Sequence, residues 1–277
     1  VQAEQSTAPD SATEPAPQSA EPTTQSAVTA SGTCGDNLTW TLEGGTLMIE
    51  GSGDMEDYYS LDQVPWAQYR NSITGLVLPV TLTSIGVYAF ARLAVVDVII
   101  PNGVTQIGSC AFHSCRSLTS ISIPASVSSI GFNAFTFCNS LASIVVDESN
   151  EVYTSVDGVL FTKDMHTLLR HPSAYPVDTY TIPDGVTTLA QNAFHCSDLK
   201  SLTIPASVTN IDNAFYVLYW LEDIVVDSNN PALTTVDGVL FNKDITTLYL
   251  YPAKKTDVSY TVPDSVTTIV SCAFIES

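Results

Sequence analysis

The chain has 277 residues, 29 acidic against 9 basic, for a net charge of −20 with only 14% charged residues. So acidic a chain does not track a phosphate backbone or an anionic membrane surface, and it has no run of about 18 apolar residues to span a bilayer. Few charges, 45% hydrophobic residues and many Val and Ile point to β-rich folded structure over most of the length.

Residues 1–33 are mainly Ser, Thr, Pro, Gln, Ala and Glu. Such a segment cannot bury enough apolar surface to offset its ordering entropy, and it is expected to be a disordered, Pro-stiffened linker. Val1-Gln2-Ala3 fits the small-residue end of a secretory signal; a linker cut from a longer chain reads the same way. Residues 34–72 follow as a predicted N-terminal cap. Leu38, Trp40 and Leu42 alternate, Glu43-Gly44-Gly45 turns the chain, and Leu47 and Ile49 alternate back. Trp40 and Trp66 are placed to cover the open end of whatever stacks behind them.

From residue 73 onward a repeat dominates. Six segments carry an apolar-Pro pair, at Pro79, Pro101, Pro124, Pro183, Pro205 and Pro263. Each is followed at three residues by Leu82, Val104, Val127, Val186, Val208 or Val266, and three further on by Ile85, Ile107, Ile130, Leu189, Ile211 or Ile269. Ala-Phe closes every unit, at Phe90, Phe112, Phe135, Phe194, Phe215 and Phe274. Before the next Pro comes apolar-x-x-apolar-x-apolar, as in Leu118, Ile121 and Ile123, the alternation of a half-buried strand. The Pro has no N–H for the ladder and ends that strand. The Gly after the Ile in three units (Gly86, Gly108, Gly131) becomes Ala190, Asp212 and Val270, so the slot does not demand a glycine-only backbone conformation.

The unit Gly103-Val104-Thr105-Gln106-Ile107-Gly108-Ser109-Cys110-Ala111-Phe112, continuing through Cys115 and Leu118 to Pro124, resembles the BspA-like leucine-rich repeat of bacterial surface proteins. The resemblance covers residues 73–277, and Cys34-Gly35-Asp36-Asn37-Leu38-Thr39-Trp40 with Pro65-Trp66 is similar to the family's N-terminal region. It implies a right-handed leucine-rich-repeat-like solenoid, β-rich, with turns or 3₁₀ segments on the convex side and a β-type cap.

Pro-to-Pro steps run 22, 23, 59, 22 and 58 residues, so two steps carry an insertion. The insertions fall at about 147–176 and 227–256, and the family commonly carries them. Val156-Asp157-Gly158-Val159-Leu160-Phe161 recurs as Val236-Asp237-Gly238-Val239-Leu240-Phe241, and each copy reads as a β-hairpin projecting from one edge. The sequence stops at Phe274-Ile275-Glu276-Ser277, inside a unit and without a polar cap, so the repeat region is expected to be C-terminally incomplete.

No residue pattern selects a catalytic site. Gly-x-Ser-x-Gly, His-Glu-x-x-His and phosphate loops are absent, and no cofactor or metal is expected. Cys115, Cys138 and Cys196 recur near one register, as small hydrophobes stacked in a ladder do. In Cys110-x-x-His113-x-Cys115, His113 fills a slot that Ala91, Thr136, Tyr216 and Ile275 also fill. Asp147 and Asp227 are expected to bond backbone in turns rather than hold calcium.

The functional expectation is therefore a secreted or surface-displayed module that binds a protein or glycan of host or neighbouring cells, without catalysis, nucleic acid or membrane insertion. Adhesion is what the resemblance implies. A noncatalytic module of a larger secreted enzyme and a structural stalk are the alternatives. The concave sheet offers a central row of Val77, Ile99, Ser122, Val145, Thr181, Thr203, Val225 and Thr261, flanked by Gly75, Asp97, Ser120, Ser143, Thr179, Ser201, Asp223 and Ser259. Tyr216-Val217-Leu218-Tyr219-Trp220 breaks the template with aromatics. These either pack beneath the second hairpin or form a recognition edge, from Tyr216, Tyr219 and Trp220, with the hairpin ends that carry Lys163 and Lys243.

Overall fold

A computed structural model describes residues 28–211 and 213–275. Most of the predicted linker, residues 1–27, lies outside the described residues, as does Asp212. The cap starts earlier than the composition indicates. Val28–Gly35 is a strand, antiparallel to Leu38–Glu43, which turns through Gly44-Gly45 (φ +55° and +83°) into Thr46–Gly51. Residues 28–33 read as linker because they carry almost no apolar bulk. Backbone pairing orders them, and Gly32 lets the strand approach Trp40, whose Nε1 would lie 2.8 Å from a Cβ at that position. Thr46–Gly51 then pairs in parallel with Gly75–Val77, joining cap to repeats.

The repeats form a β-solenoid of about eight turns, called coils below. A first wall is made of short parallel strands, Asp97–Ile99, Ser120–Ile123 and Ser143–Val146, then Thr179–Thr181, Ser201–Ile204 and Asp223–Val226. At the end of each strand the Pro closes a turn. The carbonyls of Pro79, Pro101, Pro124, Pro183, Pro205 and Pro263 each accept from the N–H three residues on. A second wall follows, with Leu82–Ile85, Gln106–Ile107 and Ser129–Ile130 in parallel register.

The third wall holds Ala-Phe and is made of turns. Its backbone alternates between left- and right-handed, with positive φ before each Ala and two residues past the Phe, as at Tyr88 and Arg92, Cys110 and Ser114, or Asn133 and Phe137. Each such residue costs about 1–2 kcal/mol, least for Asn, which supplies the slot at Asn133, Asn192 and Asn213. The return is a ladder between coils. The N–H groups of Tyr88, Phe90 and Arg92 donate to the carbonyls of Ser109, Ala111 and His113 at 3.1, 2.9 and 2.8 Å.

Gly86, Gly108 and Gly131 are not left-handed. A Cβ there would lie 1.9–2.6 Å from backbone of the preceding coil. At these three positions glycine is needed for close stacking on the preceding turn, whereas Ala190 and Val270 each follow an inserted coil.

Each insertion is a complete coil bearing a hairpin. Tyr153–Val156 and Val159–Thr162 pair antiparallel, Val159–Thr162 pairs with Thr167–Arg170, and Thr167–Arg170 lies parallel to Thr188–Leu189 in the second wall. Leu233–Val236, Val239–Asn242, Thr247–Leu250 and Thr268–Ile269 repeat this order. His171 and Tyr251 then occupy the slot of the repeat Phe. Their N–H groups donate to Ala193 and Ala273 at 2.8 Å, and their rings stack on Phe194 and Phe274 at 5.2 and 5.3 Å.

The hairpins do not project. Val159, Leu160 and Phe161 are at most 2% exposed, as are Val239, Leu240 and Phe241, because three consecutive apolar residues need cover on both faces. Leu160 packs into the N-terminal core cluster while Val159 and Phe161 pack into the next, so each hairpin is a partition between core segments. Asn150 anchors the first. Its Nδ2 donates to the Pro124 and Val127 carbonyls at 2.9 Å, and its Oδ1 accepts from Val152 and Tyr153 N–H. Asn230 does the same to Pro205, Val208, Ala232 and Leu233. No helix among the described residues is long and apolar enough to cross a membrane.

Candidate interaction surfaces

The predicted central row points outward, in two separate ladders. Ile99, Ser122 and Val145 are register partners, and so are Thr181, Thr203 and Val225. Between them the turn at Asp157-Gly158 closes over the edge, with Ile144 N–H donating to the Gly158 carbonyl at 2.9 Å. Val145 and Val225 thus occupy equivalent places, each on the last strand before an insertion. Ile99 is 83% exposed, and Val77, Val145 and Val225 about half exposed. Thr203 is half-buried. In the flanking row one oxygen of the exposed Asp97, Oδ1, accepts from the Thr119 and Ser120 hydroxyls at 3.1 and 3.2 Å.

The aromatic stretch divides. Val217 and Leu218 are buried, whereas Tyr219 and Trp220 are 42% and 53% exposed. Tyr216 turns to the third wall, stacked 5.0 Å from His195, in a chain of rings that continues through Phe137 to His113. Tyr216 and Trp220 therefore belong to different surroundings. The cation beside Trp220 is Lys254, with Nζ 5.3 Å from the ring centroid. Lys163 and Lys243 are held elsewhere, donating to the carbonyls of Glu148 and Ser228 at 3.0 and 3.4 Å. The hairpin ends close their own loops. Lys254 is not apparent from the sequence because it lies 34 residues from Trp220; the signal was the Lys254-Lys255 pair at the end of the second insertion.

The other candidates resolve into structure. Cys115 and Cys138 are fully buried and donate to the carbonyls of Phe90 and Phe112 at 3.1 and 3.0 Å. Burial pushes both thiols up, Cys138 to about 12. His113 Nδ1 meets the Ser114 hydroxyl at 3.0 Å, apart from Cys115. Among the described residues no three His, Cys, Asp or Glu side chains converge as metal ligands would. Asp147 and Asp227 each accept from the N–H two residues on at 2.8 Å. Asp54 and Asp57 accept from Thr83 Oγ1 and Val87 N–H at 2.6 and 2.7 Å, tying the cap to the first coil.

The fold and repeat have counterparts in other proteins. The family model for the BspA type leucine rich repeat region matches in six copies, over residues 67–163 and 173–244. A leucine rich cell surface protein from Faecalibacterium prausnitzii A2-165 is similar at 28% identity and TM-score 0.53, over 74% of this chain and 55% of that one. The pneumococcal vaccine antigen PcpA shares the fold at 20% identity and TM-score 0.50, over 87% of this chain and 78% of that one. No curated protein matches the chain. Six matched copies, on a solenoid whose regular coils share the Pro turn and the Ala-Phe ladder, place this chain in the BspA-type leucine-rich-repeat family.

Proposed function

We propose that this chain is a noncatalytic interaction module, secreted or displayed on a bacterial surface, that docks a protein or glycan of host or neighbouring cells on its first wall and the adjoining Trp220 edge. The observation that carries this reading is the repeated exposure of Val145 and Val225 at equivalent register positions, each on a strand held in parallel register by its neighbour. Apolar side chains fixed on paired strands favour docking at small entropic cost. Trp220, half exposed beside Lys254, supplies the aromatic-cation contact that binding hot spots favour. The Faecalibacterium relative is a cell surface protein, which supports the same location here.

The test is a binding screen of the folded chain against matrix proteins, mucins and glycan arrays, repeated with Val145→Asp/Val225→Asp and with Trp220→Ala. A ligand whose affinity falls at least tenfold in these variants, with melting unchanged, supports the reading. A ligand indifferent to all three positions moves the site elsewhere. No ligand at all favours a stalk.

A further inference from the structure

Behind each insertion the coils part and leave a cleft on the second and third walls. The first, about 240 Å³, is lined by Phe135, Tyr153, Leu160, Leu169, Arg170 and Asn192 among others. The second, about 310 Å³, is its repeat twin, with Tyr249 and Val270 in place of Leu169 and Ala190. One difference between the twins is chemical. Arg170 and Leu250 are equivalent, each the register partner of the hairpin leucine, Leu160 or Leu240. Both are buried, at 6% and 4% exposure. Leu250 shows that the architecture needs no cation at this position. Arg170 comes with Ser173 where the twin has Ala253, and the Ser173 hydroxyl accepts from Nη2 at 3.0 Å.

The guanidinium has no counter-charge. None of the ion pairs among the described residues involves Arg170. Its Nη1 donates to the Asn192 carbonyl at 3.0 Å, and its buried Nε has no partner. Burial lowers its pKa to about 10, which leaves it protonated at neutral pH. The titratable groups around it are uncharged there. Cys138 is pushed up to about 12 by burial and Cys196 is also raised by burial, while burial holds His171 at about 3 and His195 at about 4. A buried charge in native proteins is ordinarily paired.

We propose that this first cleft is a binding site for a small organic monocarboxylate, whose charge meets the Arg170 guanidinium and whose body lies against Phe135, Leu160 and Leu169. One cation matches one negative charge. A dianion such as phosphate would bring a second charge into a chain that is already at −20. The volume lies below the roughly 300–1,000 Å³ of drug-sized sites. Asn192 Nδ2 donates to Asn133 Oδ1 at 3.0 Å, holding the third coil to the fifth beside the cleft. The site is separate from the first-wall surface proposed above and stands or falls without it.

The chain has four arginines, Arg70, Arg92, Arg116 and Arg170, so their Nε–H resonances can be followed singly in the ¹⁵N-labelled full chain. Sodium acetate and sodium isobutyrate are titrated as probes, with sodium phosphate as comparison. Both carboxylates are expected to shift one Nε resonance saturably, and that resonance is missing from Arg170→Leu. Isobutyrate binds more tightly than acetate because of the apolar wall, and phosphate has no saturable effect. The side-chain amide of Asn192 reports the same event in the unmodified chain, should the Leu variant not fold. The proposal is overturned by shifts that fail to saturate, by equal shifts of the Asn192 amide in Arg170→Leu, or by phosphate acting as the carboxylates do.

Discussion

The indole N–H of Trp66 donates to the carbonyl of Ala89 at 3.0 Å, filling the place that a repeat Phe N–H takes one coil later, where Phe90 donates to Ala111 at 2.9 Å. The ring also stacks on Phe90 at 5.9 Å, so one cap residue continues both the hydrogen-bond ladder and the aromatic ladder. Trp66→Phe keeps the stack and orphans the carbonyl, with an expected loss of about 1–2 kcal/mol. Trp66→Ala loses both, about 3–5 kcal/mol. Urea unfolding measures the difference; equal losses would show that the hydrogen bond contributes nothing.

Asn150 satisfies two carbonyls and two N–H groups from one buried side chain. Asn150→Ala leaves the Val127 carbonyl and both N–H groups without their partner, while the Pro124 carbonyl keeps the Val127 N–H, and an orphaned buried group costs about 1–3 kcal/mol. A loss of at least about 3 kcal/mol is expected, with a similar loss for Asn230→Ala. Stabilities within about 1 kcal/mol of the parent would contradict this.

The glycine slot separates close stacking from backbone conformation. Gly131→Ala puts a Cβ 2.3 Å from the Ser109 backbone nitrogen, which cannot move aside. Overpacking of this kind costs about 1–3 kcal/mol. The reverse change at the equivalent position behind the cleft, Ala190→Gly, is expected to cost no more than about 1 kcal/mol. Thermal melts that rank the two the other way would refute the stacking account.

Burial, more than the nearby Arg170, lowers the His171 pKa from 6.5 to about 3. The unfolded chain therefore takes up a proton between those values that the folded chain refuses, so stability rises with pH across this window. It is complete above about pH 6.5 and is lost progressively as pH falls toward 3, by an amount on the order of a few kcal/mol. His195, held at about 4 by burial, adds to the same slope. His171→Phe with Ser197→Cys restores the pair seen elsewhere, a Phe carbonyl accepting from a Cys thiol, in place of the Ser197 hydroxyl on His171 Nδ1 at 3.1 Å. The double variant is expected to flatten the slope between about pH 4 and 6.5 in denaturant titrations. An unchanged slope would assign it to other groups.

The regular coils were legible because Pro, Ile and Phe recur at fixed spacing with one physical role apiece. Pro ends a strand, Ile fills the core and Phe stacks in the third wall. The inserted coils were legible only as hairpins. Their Phe slots hold His171 and Tyr251, so no Ala-Phe pair announces a completed turn. The strand at Val28–Gly35 was hidden because its order comes from backbone pairing, which leaves no hydrophobic pattern. Val145 and Val225 could be placed on the outward face from period alone, but the break between their ladders depends on where Asp157-Gly158 folds back. Arg170 carried a signal that only comparison of the two insertions brings out: a charge where the twin has leucine.

The partition of the core by the two hairpins gives the molecule internal mechanical joints. Leu160 and Leu240 each belong to the core cluster before their hairpin, whereas the flanking Val159 and Phe161, or Val239 and Phe241, belong to the one after it. Pulled from its ends, the chain is expected to lengthen in discrete steps bounded near residues 160 and 240, so that a tether under load yields one block while its neighbours keep their surfaces intact. A single all-or-none rupture in a force-extension trace would show that the hairpins weld the blocks together instead.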